Sequence, residues 1–123
     1  MTPSSDVDAD DVGFVVVSFT VIAARPIDGL VRYLRESRTP DGEFFYDLGT
    51  ETFEELEAEN RADRLDAAIN GMLDLVEHVP RSMFHDPHVF VRLYLTFGRG
   101  AETVSADALR RMADVNATMW IDS

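Results

Sequence analysis

A run near the end of the chain, His88-Val-Phe-Val-Arg-Leu-Tyr-Leu-Thr-Phe97, alternates without a break. Val89, Val91, Leu93, Leu95 and Phe97 fall on one side, and His88, Phe90, Arg92, Tyr94 and Thr96 on the other. Successive side chains of a strand point to opposite faces, so the run predicts a strand with one wholly apolar face. A chain that contains it must supply a sheet for it to pair in and an apolar layer to cover that face. The second face holds two aromatics and an arginine instead of the small polar residues of a solvated sheet. That composition predicts a covered surface or a partner surface.

The rest of the chain supplies the remaining layers. Residues 14–23 alternate in the same way, with Val15, Val17, Phe19, Val21 and Ala23 on the core face. Pro26 suits the first turn of a helix, and Ile27, Leu30, Val31 and Leu34 follow at helical spacing, predicting a helix over 26–37. Thr39-Pro-Asp-Gly42 reads as a turn, and 43–48 as a short aromatic strand with Phe44, Tyr46 and Leu48 on one face and Phe45 opposite. The glutamate-rich stretch 49–60 suggests a loose helical turn or an ordered loop. Leu65, Ile69, Met72 and Val76, flanked by Ala68, Leu73 and Leu75, predict the longest helix over 61–79, ended by Pro80. Residues 83–87 read as a loop.

Ser105 is placed to cap a last helix, with Asp107 in its first turn and Val104 and Leu109 at the positions of a hydrophobic staple. Leu109, Met112 and Ala113 are expected to face inward, and Asn116 to stop the helix in a left-handed conformation. Residues 118–122 predict a final strand with Met119 and Ile121 on one face and Trp120 on the other. The simplest packing is an α+β two-layer sandwich, with about four mostly antiparallel strands and three helices on one face. The expected core includes Val15, Val17, Phe19, Leu30, Leu34, Ile69, Met72, Val91, Leu93, Leu109, Met112 and Ile121. Residues 1–11 read as a disordered acidic tail and 12–123 as a single domain.

Charge narrows the partners. The formal net charge is −12, and every basic side chain other than histidine is arginine. The missing lysine fits codon bias in a GC-rich genome, or a halophilic host. Without a basic stripe, nucleic acid and anionic membranes are disfavoured. The longest apolar run, 12–24, is interrupted by Gly13, Ser18 and Thr20 and is too short to span a bilayer as a helix. The absence of cysteine and the acidic start of the chain point to the cytoplasm.

The C-terminal unit resembles a bacterial domain-of-unknown-function family numbered 4279. The likeness is carried by the strand 89–97, the helix Ser105-Ala-Asp-Ala-Leu-Arg-Arg-Met-Ala113 and the strand Ala117-Thr-Met-Trp-Ile-Asp122. It covers about half the chain. The family's tryptophan-bearing strand before the long helix has no counterpart, since the chain's one tryptophan is Trp120. The resemblance implies an α+β domain and no activity.

Reactive chemistry has few footholds. Asp6, Asp8 and Asp10 are spaced like the start of a calcium loop, but Asp11 and Val17 stand where that loop needs glycine and glutamate. No nucleophile elbow or phosphate loop is present. His78, His85 and His88, with Asp86 between the last two, are the candidate metal ligands. Their plainer reading is a helix-end histidine and two polar loop residues, so no metal and no cofactor are expected. The sharper feature is the outward set Phe90, Arg92, Tyr94 and Trp120, which Phe14 and Phe45 can extend. Tryptophan, tyrosine and arginine are the residue types favoured at interface centres. Three outcomes are open: segment 49–60 or loop 83–87 folds across this face, both faces are buried, or the face takes a protein partner or a second copy. The expected function is a binding domain, more readily non-enzymatic, self-associating or acting as an immunity-type partner of a basic protein. The alternative is a small metal- or carboxylate-dependent enzyme centred on His78, His85 and His88.

Overall fold

The computed structural model describes residues 13–35, 42–98 and 102–122. Strand β1, Phe14–Ala23, forms the middle of the sheet. It pairs antiparallel with β2, Phe44–Glu54, on one side and with β3, Val89–Phe97, on the other. Strand β4, Ala117–Asp122, lies parallel to β3, giving the order β2-β1-β3-β4. A parallel neighbour needs a crossover, and α3, Ala106–Asp114, supplies it between β3 and β4. Helix α1, Ala58–Asp74, bridges β2 towards the short α2, Arg81–Phe84. The fold is the expected α+β two-layer arrangement, with a mixed four-stranded sheet.

The alternation of β1 and β3 is realised as read. Val15, Val17, Phe19, Val21 and Ala23 are buried, as are Val91, Leu93 and Leu95. Against them pack Leu65, Ala68, Ile69, Met72 and Leu73 of α1, then Val76 and Val79 beyond its end, Phe84 of α2, and Ala108 and Met112 of α3. Ser105 Oγ accepts from the Ala108 amide at 3.1 Å, and Asn116 ends the helix at φ 58°. Both features match the sequence reading of these caps.

Strand β2 runs six residues past the expected end at Leu48. The reason is a bulge. Phe19 pairs with Gly49 and Thr20 with Asp47, so Leu48 is the extra residue. Gly49 takes φ 138°, open to few other residues, and its amide donates to Asp47 Oδ1 at 3.1 Å. Beyond the bulge the inward set shifts from Tyr46 and Leu48 to Phe53, which pairs with Val15. A fixed period of two cannot carry through such a shift, so 49–54 did not read as strand. Residues 58–60, from the same stretch, open α1 three residues before the expected start at 61. Its regular helix stops at Asp74, with turns to Val79. Residues 81–84, partly read as loop, form α2.

The helix expected over 26–37 is absent from its described part, which holds only a single 3-10 turn, Val31–Tyr33. Gly29 at φ +91° cannot continue an α-helix, and a Cβ there would meet His78 Nε2 at 2.9 Å. The Ile27 amide donates instead to the Tyr46 hydroxyl at 2.8 Å. Ile27 and Leu30 still reach the core, Val31 is exposed, and Leu34 is half-buried beside Tyr46.

Two expected core residues of the C-terminal unit are exposed. Leu109 is 49 % exposed because α3 turns Ala108, Met112 and, just past its end, Val115 inward, at i, i+4 and i+7. Ala113 points outward with it, and no Val104–Leu109 staple buries Leu109. Ile121 is 57 % exposed on the edge strand. Nine helical residues rise about 13 Å and six strand residues about 20 Å, so the far end of β4 runs past α3. The expected tail over 1–11 and most of the expected turn, at 39–41, together with Arg99 and Gly100, lie outside the described residues.

Candidate interaction face

The outer face of the sheet is built row by row from the strand register. Ile22 pairs with both Phe45 and Phe90, making an apolar row across three strands. The next row is Thr20, Arg92 and Thr118, then Ser18, Tyr94 and Trp120, then Val16, Thr96 and Asp122. That these residues share one face follows from the period-two alternation of their strands. The sequence therefore placed Phe90, Arg92, Tyr94 and Trp120 on one surface, and the register brings them together.

Contacts within the cluster are specific. The Arg92 guanidinium carbon lies 5.1 Å from the Phe90 ring centroid and 4.8 Å from that of Trp120. A cation over an aromatic face is attracted by the ring quadrupole, by about 0.5–1 kcal/mol where exposed and more where water is excluded. Tyr94 and Trp120 stack with centroids 6.3 Å apart and planes 25° from parallel. The Tyr94 hydroxyl donates to Asp122 Oδ2 at 3.3 Å. Arg92 Nε is buried and has no hydrogen-bond partner, and no ion pair involves Arg92 among the described residues.

Among the described residues no element crosses this face. Residues 49–54 belong to β2, and α2 carries Phe84 into the core layer. Trp120 is 51 % exposed and Phe90 40 %. Phe14 and Phe45 are half-buried on the same side.

The histidines are not brought together. His78 Nε2 donates to the Gly29 carbonyl at 3.0 Å, and His85 Nε2 to the Asp114 carbonyl at 3.0 Å. Both imidazoles therefore serve as ties between separate segments. His88 is exposed, and its backbone amide is held by Asp86 Oδ1 at 2.8 Å. Asp86 also faces Arg25 at 3.8 Å. Among the described residues no group of three or more histidine, aspartate or glutamate side chains is placed to hold a metal. A small open cavity of about 200 Å³ lies here, lined by Arg25, Ile27, Met83, Asp86 and His88 among others.

Sequence reasoning missed the buried ion pair Arg61–Glu102. Arg61 Nε donates to both carboxylate oxygens, at 2.9 and 2.7 Å, and one terminal nitrogen donates to the carbonyls of Glu55 and Leu56. Both side chains are more than nine-tenths buried. Nothing in the local pattern marks either residue. Partners 41 positions apart become visible only once the layers are stacked.

Comparison with protein-family models, curated proteins and solved structures returned no match for this chain. No described helix is long and apolar enough to cross a membrane.

Proposed function

We propose that this chain is a non-enzymatic interaction domain that self-associates through the outer face of its sheet. The observation that carries this reading is the Phe90–Arg92–Tyr94–Trp120 cluster, which combines exposed aromatic area with an arginine that has no ion pair among the described residues. Monomers rarely leave such patches bare, and these residue types concentrate at interface centres. The preformed stacking also lowers the ordering entropy that binding must overcome. A variant within this class is an immunity-type partner of a basic protein, towards which a net charge of −12 would steer encounter. The same charge disfavours nucleic acid, and the lack of cysteine fits a cytoplasmic setting. The likeness of the C-terminal unit to the family numbered 4279 adds no activity.

An enzyme built on His78, His85 and His88 is the weaker reading, because two of the rings are committed to backbone carbonyls of different segments and only His88 of the three lines the small cavity. Light scattering on the native protein and on Tyr94→Glu with Trp120→Glu tests the binding reading. A native dimer that the double variant loses while staying folded is the expected result. A native protein that remains monomeric at high concentration, or a folded double variant that remains dimeric, would sink it.

A further inference from the structure

We infer that a second copy of this chain docks face to face about the Tyr94–Trp120 row, with Arg92 of each copy engaging Asp122 of the other. The inference rests on the self-association reading above and adds the partner group and the symmetry. It starts from an arithmetic property of the register. Arg92 lies in the row next to Tyr94–Trp120 on one side, and Asp122 in the row next to it on the other side. Rows on one face are two residues apart, about 6.6 Å along the strands. A two-fold axis running across the strands over Tyr94 and Trp120 therefore exchanges the Arg92 row with the Asp122 row.

Lateral position is unchanged by that rotation. Arg92 of one copy then stands opposite Thr96 of the other, one strand spacing, about 4.8 Å, from Asp122. Facing sheets pack about 10 Å apart, a gap that two opposed long side chains fill. Each contact occurs twice, as an isologous interface requires.

The chemistry of both groups fits. Phe90 and Trp120 lie against the guanidinium, its Nε is buried within the protomer, and Arg92 forms no ion pair among the described residues. Its terminal nitrogens are what a second copy can reach, and a planar carboxylate fits their geometry. Asp122 is exposed at the sheet edge and spends one oxygen on the Tyr94 hydroxyl, leaving the other to accept. A charge of −12 per copy repels at long range, but at physiological ionic strength that repulsion is screened beyond about 8 Å. The reciprocal pairs act inside that distance.

The test is a charge-reversal mix. Arg92→Asp and Asp122→Arg are each measured alone by sedimentation equilibrium at physiological ionic strength, then mixed one to one. Alone, each variant opposes like charges at both contacts, and self-association should weaken roughly tenfold or more. In the mixed dimer both contacts again join opposite charges, and association should return towards the native value. Circular dichroism checks the fold of each variant. Should Arg92→Asp misfold, Asp122→Arg against Asp122→Glu carries the test, the first weakening and the second retaining association. A native dimer indifferent to the reversals, or a mixture that shows no rescue, overturns the Arg92–Asp122 pairing while leaving self-association standing. A monomeric native protein overturns both.

Discussion

Removing one partner of the Arg61–Glu102 pair should be among the most damaging surface-distant changes in this domain. Arg61 is only 6 % exposed, and its guanidinium satisfies a carboxylate and two backbone carbonyls at once. In Arg61→Leu the Glu102 carboxylate stays buried with its countercharge gone, which typically destabilises by about 3–5 kcal/mol. The orphaned carbonyls of Glu55 and Leu56 lie within the same loss. Against a total stability of about 5–15 kcal/mol, this is a large fraction. With a urea dependence of about 1–3 kcal/mol per molar, the unfolding midpoint should fall by about 1–5 M.

Glu102→Leu alone should be similarly damaging, since it strands the arginine. The double variant Arg61→Leu with Glu102→Leu buries no charge, and should recover at least about 1.5 kcal/mol of the summed single losses. Urea titration followed by circular dichroism reads all four proteins of the cycle. Additive single losses, or an Arg61→Leu loss below about 1 kcal/mol, would show that water reaches the pair and refute the reasoning. The exposed Arg110–Asp107 pair is the internal control, and Arg110→Ala should change stability by less than about 0.5 kcal/mol.

Gly29→Ala forces a side chain into φ +91° and against His78, so it should lower stability by more than about 1 kcal/mol, read as a drop in melting temperature; an unchanged melting temperature would mean the turn is not held as described. Ser105→Ala removes the cap on Ala108 and should lose about 1 kcal/mol in chemical denaturation. Leu109→Ser, at an exposed position of the same helix, should lose less than about 0.5 kcal/mol, and a loss of core size would restore the inward placement that periodicity suggested.

Strands β1 and β3 were legible because both faces obey one period from end to end, and α1 because its apolar stripe is long. The α3 caps were legible because Ser105 and Asn116 act through their own neighbours. What failed was interrupted by single residues with tertiary reasons. Gly49 resets the parity of β2, so Phe53 looked misplaced. Gly29 breaks a helical spacing that Ile27 and Leu30 otherwise satisfy, and its tight turn is set against His78, 49 positions away. In α3, Leu109 and Met112 fit a helical stripe as well as Ala108 and Met112 do, and a nine-residue helix holds too few turns to decide between them. The aromatic face was readable residue by residue, because the side each residue faces follows from alternation. The Arg92 sandwich was not, since it depends on which strand lies beside β3.

The aromatic cluster is shared between strands of unequal anchorage. Strand β3 is flanked on both sides, whereas β4 has a neighbour only in β3, and α3 shields it along part of its length. Edge elements of this kind open locally at lower free energy than the centre of a sheet. Opening β4 would carry Trp120 away from Arg92 and Tyr94, and with it the recognition surface. Anything that binds the assembled cluster and not its parted halves then draws β4 closed by mass action. Occupancy of the face and attachment of the edge strand thus become one equilibrium, in which slow hydrogen exchange along β4 records a bound partner that never touches those amides.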